Sequence, residues 1–124
     1  MALSYIPGTV PGTHTAKADL FRVLGHPVRI RILDLLRDGP RSVGDLQAAL
    51  GLDSSGTSQH LGALRRQGLL ESAREGTSVF YSVKDARTFE LLAAAREILT
   101  ASLTEGNALL AELAAERPGR RRRT

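Results

Sequence analysis

Ser54, Ser55, Ser58 and Gln59 sit at positions i, i+1, i+4 and i+5 of one stretch, "GLDSSGTSQHLGALRRQGLL". On a helix that spacing gathers four small polar side chains on one face, opposite the apolar repeat of Leu61 and Leu64. Their chemistry is hydrogen bonding. A glutamine amide at Gln59 can pair bidentately with adenine in a major groove, and serine hydroxyls reach bases or phosphates. Free N–H groups at the start of such a helix favour a phosphate nearby. Arg65 and Arg66, later on the same helix, suit the nucleic-acid backbone. Arg74 and Thr77 beyond it, and Arg41 before it, are the other candidate contacts. The resulting set for DNA is Arg41, Ser54, Ser55, Ser58, Gln59, Arg65, Arg66, Arg74 and Thr77.

Other chemistries find little here. The chain has no cysteine, which removes disulfides, thiolate metal sites and thiol redox chemistry. His14, His26 and His60 are its three histidines, widely spaced. There is no nucleophile–base set and no phosphate loop, so the expectation is a protein that is not an enzyme and needs no cofactor. No apolar run approaches the roughly 18 residues of a membrane span, and the N-terminus lacks a signal-peptide core. A cytoplasmic protein with no membrane partner is expected.

The elements that would position the polar face follow from punctuation. "MALSYIPGTVPGTH", with two Pro-Gly pairs, reads as a flexible arm over residues 1–14, where Tyr5 and Ile6 could pack on a partner. A helix from about Thr15 carries Leu20, Phe21 and Leu24 on one side, and Gly25 ends it. His26 and Pro27 open the next, since proline suits a first helical position. Val28, Ile32, Leu35 and Leu36 form its apolar stripe, and "RDGPR" breaks it. Ser42 with Asp45 reads as a capping box. The short helix that follows turns Val43, Leu46 and Leu50 inward and stops at Gly51. Asp53 can cap a helix from Ser54 to Gln67. Gly56 in its first turn costs about 1 kcal/mol against alanine. His60 is expected half-buried and satisfied, facing the junction of the two helices around Gly51.

Leu69, Leu70, Val79, Phe80, Tyr81 and Val83 suit two strands joined by a turn at Gly76. Asp85 to Leu113 reads as a long helix, with a break near Gly106-Asn107. Phe89, Leu92, Ile98, Leu99, Leu103, Leu110 and Leu113 make it apolar enough to want a partner surface. The fold class is therefore mainly α with a two-stranded β wing (α+β): a winged helix-turn-helix dimerising through its terminal helices. The domain spans 15–113, and 114–124 is a basic tail expected to be disordered.

The net charge of +4 hides an asymmetry. Five of the 17 basic residues are Arg117, Arg120, Arg121, Arg122 and Arg123, which leaves 12 against 13 acidic ones in residues 1–116. Any DNA binding must use a local patch, with the tail adding unspecific, salt-sensitive attraction. The chain's 124 residues, 42% of them hydrophobic, suit one modest domain for which oligomerisation would help.

The runs "GHPVRIRIL", "SVGDLQAALGL", "SQHLGALRRQGLL" and "REGTSVFY" together resemble the ArsR/SmtB family of bacterial winged-helix regulators over residues 20–83. The resemblance implies a homodimer built by the first and last helices, usually a repressor of palindromic operators whose ligands, often metals, weaken DNA binding. The family's recognition positions fall on Ser54, Ser55, Ser58 and Gln59. Gly56 and Thr57 depart from the family pattern, and Gly76, Thr77 and Ser78 make a less basic wing. One family metal site, a Cys-x-Cys pair, has no counterpart in "RSVGDL". Another uses Asp and His on the last helix, where this chain offers Asp85, Glu90, Glu97, Glu105 and Glu112 without histidine. Zinc or nickel prefers imidazole or thiolate to such a set. No metal is expected; His14 with Glu97 is the weak candidate pair.

The expected function is a sequence-specific transcriptional regulator that binds double-stranded DNA, a homodimeric repressor at a palindromic operator, whose input is a small-molecule effector, a regulatory partner protein or none at all. The alternatives are a winged-helix interaction module or co-regulator with weak DNA binding, and a nickel- or zinc-responsive variant of the regulator.

Overall fold

The computed structural model describes residues 11–103 and 108–116. Two units of the chain meet between Lys84 and Asp85. The first holds α1 (Gly12–Leu24), α2 (Pro27–Leu35), β1 (Arg41–Ser42), α3 (Val43–Leu50), α4 (Ser54–Arg66), β2 (Leu70–Glu75) and β3 (Ser78–Val83). The second holds α5 (Arg87–Ser102) and α6 (Ala108–Ala115).

Side-chain caps set the helix starts. The Val28 N–H donates to His26 Nδ1 at 3.1 Å, with Pro27 in the first turn. The Asp45 N–H donates to Ser42 Oγ at 3.0 Å, one half of the expected capping box. The Gly56 N–H donates to Asp53 Oδ1 at 2.7 Å. Gly51 ends α3 at φ 67°, the left-handed conformation that costs glycine least. Gly51, Leu52 and Asp53 are thus the whole connection between α3 and α4. The cap at Asp53 stabilises the start of α4 directly. Asp53→Ala is expected to cost about 1 kcal/mol, read as a fall in the denaturant midpoint with an unchanged slope.

The core of the first unit is almost all leucine. Ile32, Leu33, Leu46 and Leu64 are fully buried, with Leu61, Leu36 and Leu70 nearly so. Each such side chain contributes roughly 1.5–3 kcal/mol relative to exposure. They come from α2, α3, α4 and β2, so the core itself clamps α4 by its Leu61–Leu64 side and leaves the other side outward.

Several expectations change. α1 begins at Gly12, not Thr15, which places His14 within the helix and exposed. Phe21 does not join Leu24 inside: it is 55% exposed, and Val23 fills the buried place. Leu33 belongs to the α2 core, beside Ile32, because the helix is buried on more than one narrow stripe. The wing hairpin is present, but it belongs to a three-stranded antiparallel sheet of order β1-β3-β2. β1 is two residues long, pairing Arg41 with Tyr81 and Ser42 with Phe80, too short for any periodicity to announce it. The last helical stretch starts at Arg87. Asp85 precedes it, with its carboxylate accepting from the Arg87 backbone N–H (2.9 Å) and guanidinium (2.6 Å). Those bonds hold the exposed Asp85 carboxyl at about 2, below the usual range. The expected break at Gly106-Asn107, the arm residues Tyr5 and Ile6, Glu105 and the tail arginines lie outside the described residues.

Candidate nucleic-acid interface

At about 100° per residue, Ser54, Ser55, Ser58, Gln59, Gly62, Arg65 and Arg66 fill an arc of about 140° on α4. The six side chains in this arc are exposed, while Thr57, Leu61 and Leu64 are buried on the other side. The sequence-derived face is therefore assembled by one helix. Thr57 is fully buried, and its hydroxyl donates to the Asp53 carbonyl at 2.9 Å, so its polar atom is satisfied within the helix. The N–H groups of the first helical residues emerge at the Ser54–Ser55 end, where a phosphate would find them.

Two glycines shape this helix. A Cβ on Gly56 would stand 2.8 Å from Asp53 Oδ1, the atom that caps α4. That atom is the far end of a flexible side chain, so a small rotation of the Asp53 carboxylate would admit a Cβ. A Cβ on Gly62 would stand 3.0 Å from Arg66 Nη1. The Arg66 guanidinium therefore lies back over Gly62. Gly62 was not among the sequence-derived site residues; its place at i+4 from Ser58 was the available signal.

The other candidates are spread over neighbouring elements. Arg74 is on β2 opposite Val79, and Thr77 is in the two-residue turn to β3; both are exposed. Gly76 takes φ 62° and Thr77 a negative φ, the pattern of a type II′ hairpin turn. The turn is flanked by Glu75 and Ser78, so Arg74 is the wing's one cation. Arg41, also a candidate contact, is half-buried and bonded within the fold. Its Nε donates to the Leu35 carbonyl at 2.7 Å and so satisfies the C-terminal end of α2.

His60 lies on the α2 side of α4, not toward α3 as expected. Its Nδ1 accepts from Arg29 Nε at 3.1 Å, and its ring centroid is 4.3 Å from that of His26. Arg29 also reaches the Val23 carbonyl at 3.3 Å, tying α1, α2 and α4 together. Burial, then the neighbouring His26 and Arg29, lower the His60 pKa below its ordinary value. The unfolded chain therefore binds a proton that the native state resists. Stability is expected to be fully present above about pH 6.5 and to fall as pH drops below it. Thermal unfolding from pH 8 to pH 5.5 checks this, and His60→Gln, which keeps an acceptor for Arg29, should flatten the dependence.

Among the described residues no group of three or more His, Asp or Glu side chains is placed to hold a metal ion. His14 is exposed on α1 and Glu97 exposed on α5. Among the same residues no helix is long and apolar enough to cross a membrane.

The geometry of a short helix, a glycine turn, an exposed polar helix and a hairpin can be set beside known proteins. A family model described as a helix-turn-helix domain matches residues 24–73, from the end of α1 into β2. The HTH-type transcriptional regulator Rv0081 of Mycobacterium tuberculosis is 46% identical over 100 residues, 80% of this chain and 88% of that protein. Its crystal structure gives a TM-score of 0.70 at 45% identity, covering 75% of this chain and 94% of that one. The solution structure of Mb0332 from Mycobacterium bovis has a TM-score of 0.69 at 28% identity, over 82% and 97% of the two chains. It is described as a homodimeric winged helix-turn-helix DNA-binding domain and a possible ArsR-family regulator. This chain belongs to the ArsR/SmtB family. A third likeness is the transcriptional repressor BigR of Xylella fastidiosa, whose crystal structure has a TM-score of 0.63 at 33% identity, over 70% and 89%. In this ArsR/SmtB protein α3 and α4 form the helix-turn-helix, and β2–β3 is the wing.

Proposed function

We propose that this ArsR/SmtB protein is a homodimeric repressor that reads a two-fold symmetric operator with α4 of each protomer. The observation that carries the reading is the continuous exposed arc from Ser54 to Arg66. It has hydrogen-bonding side chains at its N-terminal half, arginines at its C-terminal half and no acidic residue between. Gln59 and the serines face base edges in the major groove. Arg65, Arg66 and Arg74 take phosphates, which position the helix without specifying sequence.

Dimerisation is supported by apolar side chains that each unit leaves in water. Phe21 on α1 is 55% exposed, Ile98 on α5 is 66% exposed and Leu99 beside it 45%. The homodimeric description of the M. bovis neighbour supports the same assembly, and the name of BigR supports repression. The protein would act in the cytoplasm, on its DNA, without catalysis.

Selection from random-sequence duplexes with the purified protein tests this reading. The expected product is a palindrome with half-sites one helical turn apart, about 10 bp centre to centre. Recovery of sequences with no shared half-site would refute it.

A further inference from the structure

Arg22 of α1, Arg29 of α2 and Arg66 of α4 line one cleft of about 310 Å³ together with Val23, Ala63 and Gln67. Three helices each bring an arginine to it; no acidic residue is in the lining, and Asp19 pairs with Arg22 beside it. Much of their donor capacity is unspent. Arg29 uses Nε on His60 and Nη1 on the Val23 carbonyl, which leaves Nη2. Arg22 uses Nη2 on the exposed Asp19 carboxylate at 2.9 Å, which leaves Nε and Nη1. Arg66 lies along Gly62, and Gln67 adds a side-chain amide to the rim. Guanidinium forks match planar and tetrahedral oxyanions in two-point contacts.

We propose that this cleft binds a small multivalent oxyanion, a polycarboxylate or a phosphoester, and that the anion is an effector of the protein. Binding is coupled to DNA through Arg66, which is shared. Arg66 both borders the cleft and ends the exposed arc of α4. An anion that draws Arg66 into the cleft withdraws a phosphate contact from both half-sites of a dimer. The cleft also joins α4 to α1 and α2 through Arg29 and His60, so occupancy bears on how the reading helix is held. The coupling rests on the DNA-reading role proposed above; the binding itself does not.

The test is therefore made first without DNA. Backbone amide NMR shifts of the full chain are followed while sodium pyrophosphate or trisodium citrate is added at constant ionic strength, with sodium chloride as the control. The expected result is saturable shifts at residues 22–29 and 62–67 with at least one of the two probes, which also tells phosphoryl from carboxylate preference. Arg22→Gln and Arg66→Gln are both at exposed positions, and each should weaken that binding roughly tenfold or more with an unchanged melting temperature. Shifts that are linear, spread over all arginines and equal to those in chloride would overturn the proposal. So would failure of both probes together with an Arg22→Gln loss of DNA affinity, because the cleft would then serve the DNA backbone. If saturable binding is seen, it stands even should sequence-selective DNA binding fail.

Discussion

Gln59→Ala is expected to weaken binding to the specific site by roughly 2–6 kcal/mol and to leave non-specific binding almost unchanged. A bidentate side-chain contact to a base is worth about 1–3 kcal/mol of discrimination, and a two-fold dimer makes it twice. Gln59 is the one side chain of the arc with both an amide donor and an amide acceptor, it is exposed, and it stands beside Ser58 in the N-terminal half of α4. Its removal takes nothing from the core, which is held by Leu61 and Leu64 on the opposite side. The unfolding midpoint should therefore stay within the range of surface substitutions, about 0.5 kcal/mol. Competition assays with specific and scrambled duplexes check the prediction. An equal loss on both would reassign Gln59 to the DNA backbone.

Ile98→Asp with Leu99→Asp is expected to produce a monomer and to lower operator affinity by a thousandfold or more. Both side chains are exposed on α5, so a charge there costs an isolated chain little. Placed in an interface, each would bury an uncompensated carboxylate, a penalty of several kcal/mol. Loss of the dimer leaves one recognition helix per complex, and affinity falls toward the non-specific level, about 10³ or more weaker. Light scattering after gel filtration reads the mass, and circular dichroism shows whether the helices survive. A variant that stays dimeric would place the interface elsewhere, with Phe21 of α1 the next surface to alter.

The order of the helices, their caps and the exposed polar face of α4 were legible because each depends on local chemistry. Ser42 and Asp53 cap backbone N–H groups three residues on, and Gly51 takes the left-handed conformation that ends α3. Gln59 and the serines were legible because helical spacing alone puts them together. What escaped depends on contacts made at a distance in sequence. β1 exists because Arg41 and Ser42 meet Tyr81 and Phe80 on β3. Arg41 caps α2 because the bend after Leu36 returns it to the Leu35 carbonyl. His60 turns to α2 because Arg29, 31 residues earlier, is packed against it. The arginine cleft is of the same kind: Arg22, Arg29 and Arg66 show no common spacing and converge only when three helices pack.

The glycine in the first turn of α4 stands beside the Asp53 carboxylate that caps the helix. Phe21 shows how a residue type can mislead. Phe21 looked like core, yet it is exposed, which fits a surface kept for a second protomer.

The most direct test of sequence-specific regulation is fluorescence anisotropy of the purified protein on its own upstream intergenic DNA. A scrambled duplex of equal length is the comparison, at about 50 mM and about 150 mM salt. Phosphate contacts alone lose several orders of magnitude across such a range when six to ten are made. Base contacts of the kind proposed for Ser54, Ser55, Ser58 and Gln59 would add a preference that salt does not remove. The expected result is a preference for the upstream DNA of 10³-fold or more that persists at the higher salt. Equal binding of both duplexes, vanishing at the higher salt, would contradict the account and leave the arginine tail as the source of attraction.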